Sequence, residues 1–186
     1  MKKACVLLAE GFEEVEAITP IDYLRRAGVE VTVLGVGGRE IKGSHGIGVL
    51  TDAKLGDEKD AALYDAVILP GGGPGSRHLA ESKGVVDLIL RHNAAGKIVA
   101  AICAAPAIVL HGACNLLQGK RFTGFPGTEA QVKGGLPVAE RVVVDGNLIT
   151  SRSAGTAGEF AVAIAAALVG NDDAAKVAES VLLGAS

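Results

Sequence analysis

The sequence predicts an α/β protein built on a doubly wound, mostly parallel sheet with helices on both faces. Two observations carry this. Short, almost wholly apolar runs, ACVLLA at 4–9, YDAVIL at 64–69 and IVAAI at 98–102, read as strands buried on both faces, the condition of a parallel sheet. Segments with helical spacing alternate with them, which is the pattern of strand–helix–strand units.

Taken in order, the strand at 4–9 stops at Gly11. A helix follows over 13–27, with Val15, Ile18, Ile21 and Leu24 at three-residue spacing and Glu13, Glu14 and Glu16 in its first turn, where acids complement the helix dipole. Pro20 is expected to kink or interrupt it, and Gly28 ends it. EVTVLGV at 30–36 is the second strand. The glycine-rich stretch 37–55 holds small β pieces at Ile41 and 48–50. After the strand at 64–69 comes PGGGPG at 70–75, then a helix over 85–93 with Val86, Leu88 and Ile89 inward and His92 at a solvated end. The strand at 98–102 runs into Cys103 and a helix to about Leu110. Beyond Gly119, a short strand at 121–123 and a turn at 124–127 precede RVVVDGNLIT at 141–150, a hairpin marked by Asp145-Gly146. Alanine-rich helices over 156–169 and 172–183 close a chain read as one domain, 1–186, with no repeat or linker.

The chain's 186 residues suffice for a sizeable core. Its 18 basic and 21 acidic residues are scattered, with two Tyr, four Phe and no Trp, so it has no basic stripe or stacking platform for nucleic acid. The longest stretch free of strongly polar residues, 98–110, is shorter than the roughly 20 residues a membrane helix needs. Acids at 10–16 come too early for a signal peptide. Three cysteines, Cys5, Cys103 and Cys114, are odd in number and lack metal-ligand spacing. They fit a reducing compartment, and a cytoplasmic location is expected.

In such a sheet, chemistry sits at the carboxyl ends of the strands. Three unusual segments reach that edge: 10–16, 70–75 and Cys103. A cysteine at a strand-to-helix corner, with Ala101 and Ala105 two residues to either side, has the form of a nucleophile elbow. A helix beginning at Cys103 would supply N–H groups and a positive dipole end that favour thiolate. The glycine loop matches neither a dinucleotide fingerprint nor a P-loop. Its use is to bring backbone N–H groups to a reacting oxygen, together with that of Ala104. Glu16 is the acid one turn into the site, where desolvation would raise its pKa and let it move protons near neutrality. Of the four histidines, His45 or His78 would have to reach Cys103 through the fold.

Four blocks, GFEEVEAITPIDYLRRAG (11–28), LPGGGPGS (69–76), AAICAAPA (100–107) and TSRSAGTAGEFA (150–161), resemble in order and spacing the ThiJ/PfpI superfamily. Within it they are similar to the deglycase branch associated with Parkinson disease, nearest its bacterial YajL-type members. The resemblance covers about residues 3–170. It implies a flavodoxin-like α/β/α sandwich, a homodimer, no cofactor and no metal. It further implies Cys103 as nucleophile, Glu16 as its partnering acid, neutral and hydrogen-bonded to sulfur, and the N–H groups of Gly72 and Ala104 around the anion. Gly71, His45 and Phe125 would complete the pocket. The implied chemistry acts on α-oxoaldehydes or their early adducts on proteins, through a Cys103 hemithioacetal and proton transfer by Glu16. An alternative is a redox-responsive chaperone or sensor using oxidation of Cys103. Two positions depart from the human-type pattern: Phe125 precedes Pro126 where that branch has His, removing a second base, and His45 replaces an Arg. Ala104-Ala105 after the cysteine, in place of His, counts against a peptidase.

Overall fold

The computed structural model describes residues 1–57 and 63–184. Strands β1 (Lys3–Leu8), β2 (Glu30–Gly35), β5 (Ala53–Lys54), β6 (Ala66–Leu69), β7 (Ile98–Ile102), β10 (Val142–Asp145) and β11 (Leu148–Ser151) form one seven-stranded sheet in the order β10-β11-β7-β6-β1-β2-β5. Every pairing is parallel except β10 with β11, the hairpin at Asp145-Gly146. Two small pairs lie outside it: β3 (Glu40–Lys42) with β4 (Gly48–Leu50), and β8 (Arg121–Phe122) with β9 (Leu136–Pro137).

Continuous apolar strands follow from a sheet covered on both sides. In β1, Ala4, Val6 and Leu8 enter one core with α1 (Glu14–Arg26), α4 (Ala157–Val169) and α5 (Asn171–Ser180). Cys5 and Leu7 enter the other, with α2 (Gly73–Glu81), α3 (Lys83–Ala94) and the helix that follows β7. The doubly wound, flavodoxin-like arrangement expected from the sequence is thereby present. Among the described residues, no helix is long and apolar enough to cross a membrane.

Five local expectations are corrected. The glycine loop is not free-standing, because its second half is the first turn of α2, with Pro74 at a position where its missing N–H costs nothing. The chain does not enter a helix at Cys103. It turns at Cys103 and Ala104 and then winds as a π-helix over Pro106–Ala113, a wide form enriched at functional sites. His92 is fully buried; its Nδ1 lies 2.7 Å from the Leu88 carbonyl and its Nε2 accepts the N–H of Tyr64 at 3.0 Å. Finally, α1 turns its apolar spacing partly outward: Val15 and Ile18 are exposed while Glu14 and Glu16 are buried. Backbone donors from other loops, described next, bind those carboxyl groups and fix the rotation of the helix. Pro20 lies within α1, which runs unbroken through it.

Candidate active site

The carboxyl ends of β1, β6, β7 and β11, together with the loop between β3 and β4, surround a pocket of about 490 Å³. Its walls include Glu13, Glu16, His45, Gly72, Cys103, Ala104 and Phe125, with Ser44, Ser153 and Ala154. Six of the seven residues expected at the site are thus brought together. The seventh, Gly71, lies directly behind the wall, as its contacts show.

Cys103 is the corner. Its φ of +65° is a left-handed conformation that a side-chain-bearing residue adopts only under constraint. The constraint is visible: its N–H donates to the Ser151 carbonyl at 3.0 Å, and its own carbonyl accepts the N–H of Phe125 at 2.8 Å. The strand-end elbow read from the sequence is therefore real, clamped from both sides. Phe125, nearly half exposed, contributes its ring to the pocket and its backbone to this clamp.

Glu16 is fully buried, and its Oε2 accepts the N–H of Gly71 at 2.8 Å. The Cys103 thiol and the Ala154 N–H also lie against this buried carboxyl group. Gly71 separates acid from thiol with nothing to spare. A Cβ there would lie 2.5 Å from both Cys103 Cβ and Glu16 Oε2. Gly72 has a φ of +86°, and a Cβ on it would strike the Gly11 carbonyl, so only glycine lets the two loops meet backbone to backbone.

Electrostatics at the pair are governed by burial. Desolvation raises the Glu16 pKa to about 7, against the pull of the Gly71 N–H and the nearby thiol and with a push from the Glu13 charge. The Cys103 thiol is pushed up to about 12, first by burial and then by the Glu16 carboxylate, while the N–H groups of Gly72 and Ala104 oppose this. The expected thiolate-favouring helix end is therefore outweighed while Glu16 is ionised. Two adjacent buried acids cannot both shed their protons near neutrality, so the pair titrates as a unit. Between about 7 and about 12 it holds one proton and one negative charge. When that proton sits on Glu16, the repulsion vanishes and the sulfur is the nucleophile.

At the pocket mouth the sequence marks His45 but not the acids that hold it. Glu14 Oε1 accepts the N–H of His45 at 2.7 Å and of Ile47 at 3.4 Å, and Oε2 lies 3.0 Å from His45 Nδ1. Ser44 Oγ is 3.2 Å from both Glu13 Oε2 and Glu14 Oε2. Burial works against the Glu14 charge, but the His45 ring and backbone donors hold its carboxyl down to about 2. The Glu14 hydrogen bond and the Glu13 and Glu14 charges raise the His45 pKa. Glu13, Glu14 and His45 bring ligand atoms within 4.8 Å of one another, a donor set suited to a divalent metal, although here those atoms are engaged with each other. His78 lies apart, its Nδ1 2.7 Å from the Glu10 carbonyl. The remaining wall, Ser153 and Ala154, is fixed by Thr156 Oγ1, which accepts the N–H groups of Arg152 and Ser153.

Residues 2–167 match the DJ-1/PfpI family. The chain belongs to that family. It is 42% identical to Protein dj-1beta of Drosophila melanogaster, over 98% of this chain and 97% of that one. It is 34% identical to the glutathione-independent glyoxalase DJR-1.2 of Caenorhabditis elegans, over 91% and 90%. Among solved structures, the C103A mutant of a DJ-1 superfamily protein from Salmonella typhimurium superimposes with a TM-score of 0.93 at 40% identity, covering 98% of both chains. Oxidized Toxoplasma gondii DJ-1 superimposes with a TM-score of 0.94 at 34% identity, covering 99% of this chain and all of that one. The family expected from the four sequence blocks is the family found.

Proposed function

We propose that this DJ-1/PfpI protein is a cysteine-dependent glyoxalase or deglycase acting on α-oxoaldehydes or their early adducts on proteins, with no cofactor. The observation that carries the reading is the pair itself: a strained, pocket-facing Cys103 against a fully buried Glu16, the two sharing a single proton near neutrality. The name of the nematode relative supports the substrate class.

The sulfur adds to the aldehyde carbon, and the new oxyanion is protonated. N–H groups of Gly72 and Ala104, already directed at the sulfur, stabilise charge developing beside it. Glu16 then moves a proton from the former aldehyde carbon to the neighbouring carbonyl carbon while the hydroxyl proton passes from the first carbon's oxygen to the second's, so the first carbon is oxidised as the second is reduced. This leaves a hydroxyacyl thioester, which water cleaves to the hydroxy acid and free Cys103. A dry acid suits the middle step, because a proton held by Glu16 is not lost to solvent.

Methylglyoxal turnover without glutathione tests the reading. Cys103→Ser is expected to abolish it and Glu16→Gln to reduce it at least 10²-fold, with both variants folded by circular dichroism. Wild-type rates in both would end the proposal. A second reading, a redox-responsive chaperone or sensor, is favoured by one observation: Cys103 reaches the pocket, whereas Cys5 and Cys114 are buried.

A further inference from the structure

The pocket has two proton-handling stations, and the reaction above uses only the inner one. We propose that His45, oriented by Glu14, is the catalytic base that activates the water releasing product from Cys103. This rests on the glyoxalase or deglycase reading and adds a residue to it.

The geometry fixes the imidazole's protonation pattern. Glu14, with only 6% of its surface exposed, is an ionised carboxylate held by the backbone N–H groups of His45 and Ile47. Gly43 closes the loop over it, since a Cβ at Gly43 would run into the carboxyl group. A carboxylate only accepts, so at 3.0 Å His45 Nδ1 must carry the hydrogen. The lone pair of the neutral ring is then on Nε2, which makes no hydrogen bond among the described residues. This is the carboxylate–imidazole arrangement by which a base is held in one tautomer.

Location separates the two stations. Glu16 is sealed from solvent, whereas the His45 side chain is 69% exposed while lining the same pocket as Cys103. The hydrolytic step needs water and the proton shift does not. In the step assigned to His45, a water molecule gives a proton to Nε2 as its oxygen bonds to the thioester carbonyl carbon. The tetrahedral adduct collapses with cleavage of the C–S bond, Cys103 departs as the sulfur anion of its pair, and the hydroxy acid leaves. His45 returns its proton to solvent, and nothing is oxidised or reduced.

The charged groups near the ring are Glu14 at 3.0 Å and Glu13 at 3.5 Å, both at the start of α1, with Glu16 deeper in the pocket.

The test follows the acyl group. Methylglyoxal is mixed with wild type, His45→Ala, His45→Gln and Cys103→Ser, quenched in acid and weighed as intact protein. A hemithioacetal falls apart on denaturation, whereas a thioester persists and is cleaved by hydroxylamine. Both His45 variants are expected to accumulate the thioester and to lose about 10²-fold or more in kcat with KM no higher. They are also expected to recover turnover with added imidazole. His45→Ala keeps every backbone bond to Glu14, and His45→Gln keeps most of the ring's bulk, so at least one folded variant is available. Wild-type kcat without a trapped adduct, or a loss confined to KM, overturns the assignment. Turnover surviving in Cys103→Ser would instead sink the underlying reading, with no adduct in any variant.

Discussion

Glu16 and Cys103 meet across the space where Gly71 lacks a side chain: a Cβ there would stand 2.5 Å from the sulfur-bearing carbon and 2.5 Å from the carboxyl oxygen. The same glycine donates its N–H to that oxygen at 2.8 Å. One residue thus sets both the closeness of acid and thiol and the orientation of the acid.

Gly71→Ala should therefore separate the pair. Overpacking of this kind costs about 1–3 kcal/mol, and either Cys103 or Glu16 must move to relieve it. Methylglyoxal turnover is expected to fall at least tenfold in a protein that still folds. A variant with normal turnover and an unchanged thermal midpoint would show that the close approach is not needed.

The coupling predicts how the thiol titrates. In wild type, sulfur ionises against a neighbouring carboxylate and is pushed up to about 12. Glu16→Gln removes that charge and leaves the burial, so thiolate absorbance in the ultraviolet should appear at lower pH than in wild type. The first proton of the pair, lost near 7 in wild type, should vanish from the titration. No change in either feature would mean that the two groups do not share a proton.

Exposure predicts which sulfur is oxidised. Mild peroxide should add oxygen to Cys103, which reaches the pocket, before the buried Cys5 and Cys114. Peptide mass spectrometry locates the added oxygen. Prior reaction with methylglyoxal should protect Cys103, and equal oxidation of all three thiols would remove the basis of the redox reading.

What the sequence made legible was whatever depends on neighbours along the chain. Apolar runs marked the buried strands, Asp145-Gly146 marked the hairpin, and small residues around Cys103 marked the elbow. Glu14 was not legible, because its partners His45 and Ile47 arrive from a loop more than thirty residues on. Helical spacing alone groups Val15 and Ile18 with Ile21 and Leu24, yet backbone N–H groups from two loops hold Glu14 and Glu16 on the inner face of α1 and leave Val15 and Ile18 exposed. His92 was misread for a related reason: a histidine near a helix end looks solvated unless the Tyr64 backbone is known to lie against it.

The two buried acids of α1 pull stability in opposite directions with pH. Glu14 has a folded pKa of about 2, below its ordinary 4.5. It contributes stability that is present above 4.5 and lost as pH falls toward 2. Glu16 has a folded pKa of about 7, above 4.5. The native state then binds more protons than the unfolded chain between those values, so stability declines as pH rises from 4.5 to 7 and the cost is full above 7. Glu16→Gln should thus gain on wild type as pH rises through this window, reaching on the order of 1–3 kcal/mol above pH 7, while losing activity. Glu14→Gln should be less stable than wild type at pH 7, by on the order of 1–3 kcal/mol, and approach it near pH 2–3. Thermal midpoints of the three proteins across pH 2–9 measure both effects. A Glu16→Gln curve parallel to wild type would mean that Glu16 ionises at its ordinary pKa, and with it the shared-proton account of the Cys103 site would fail.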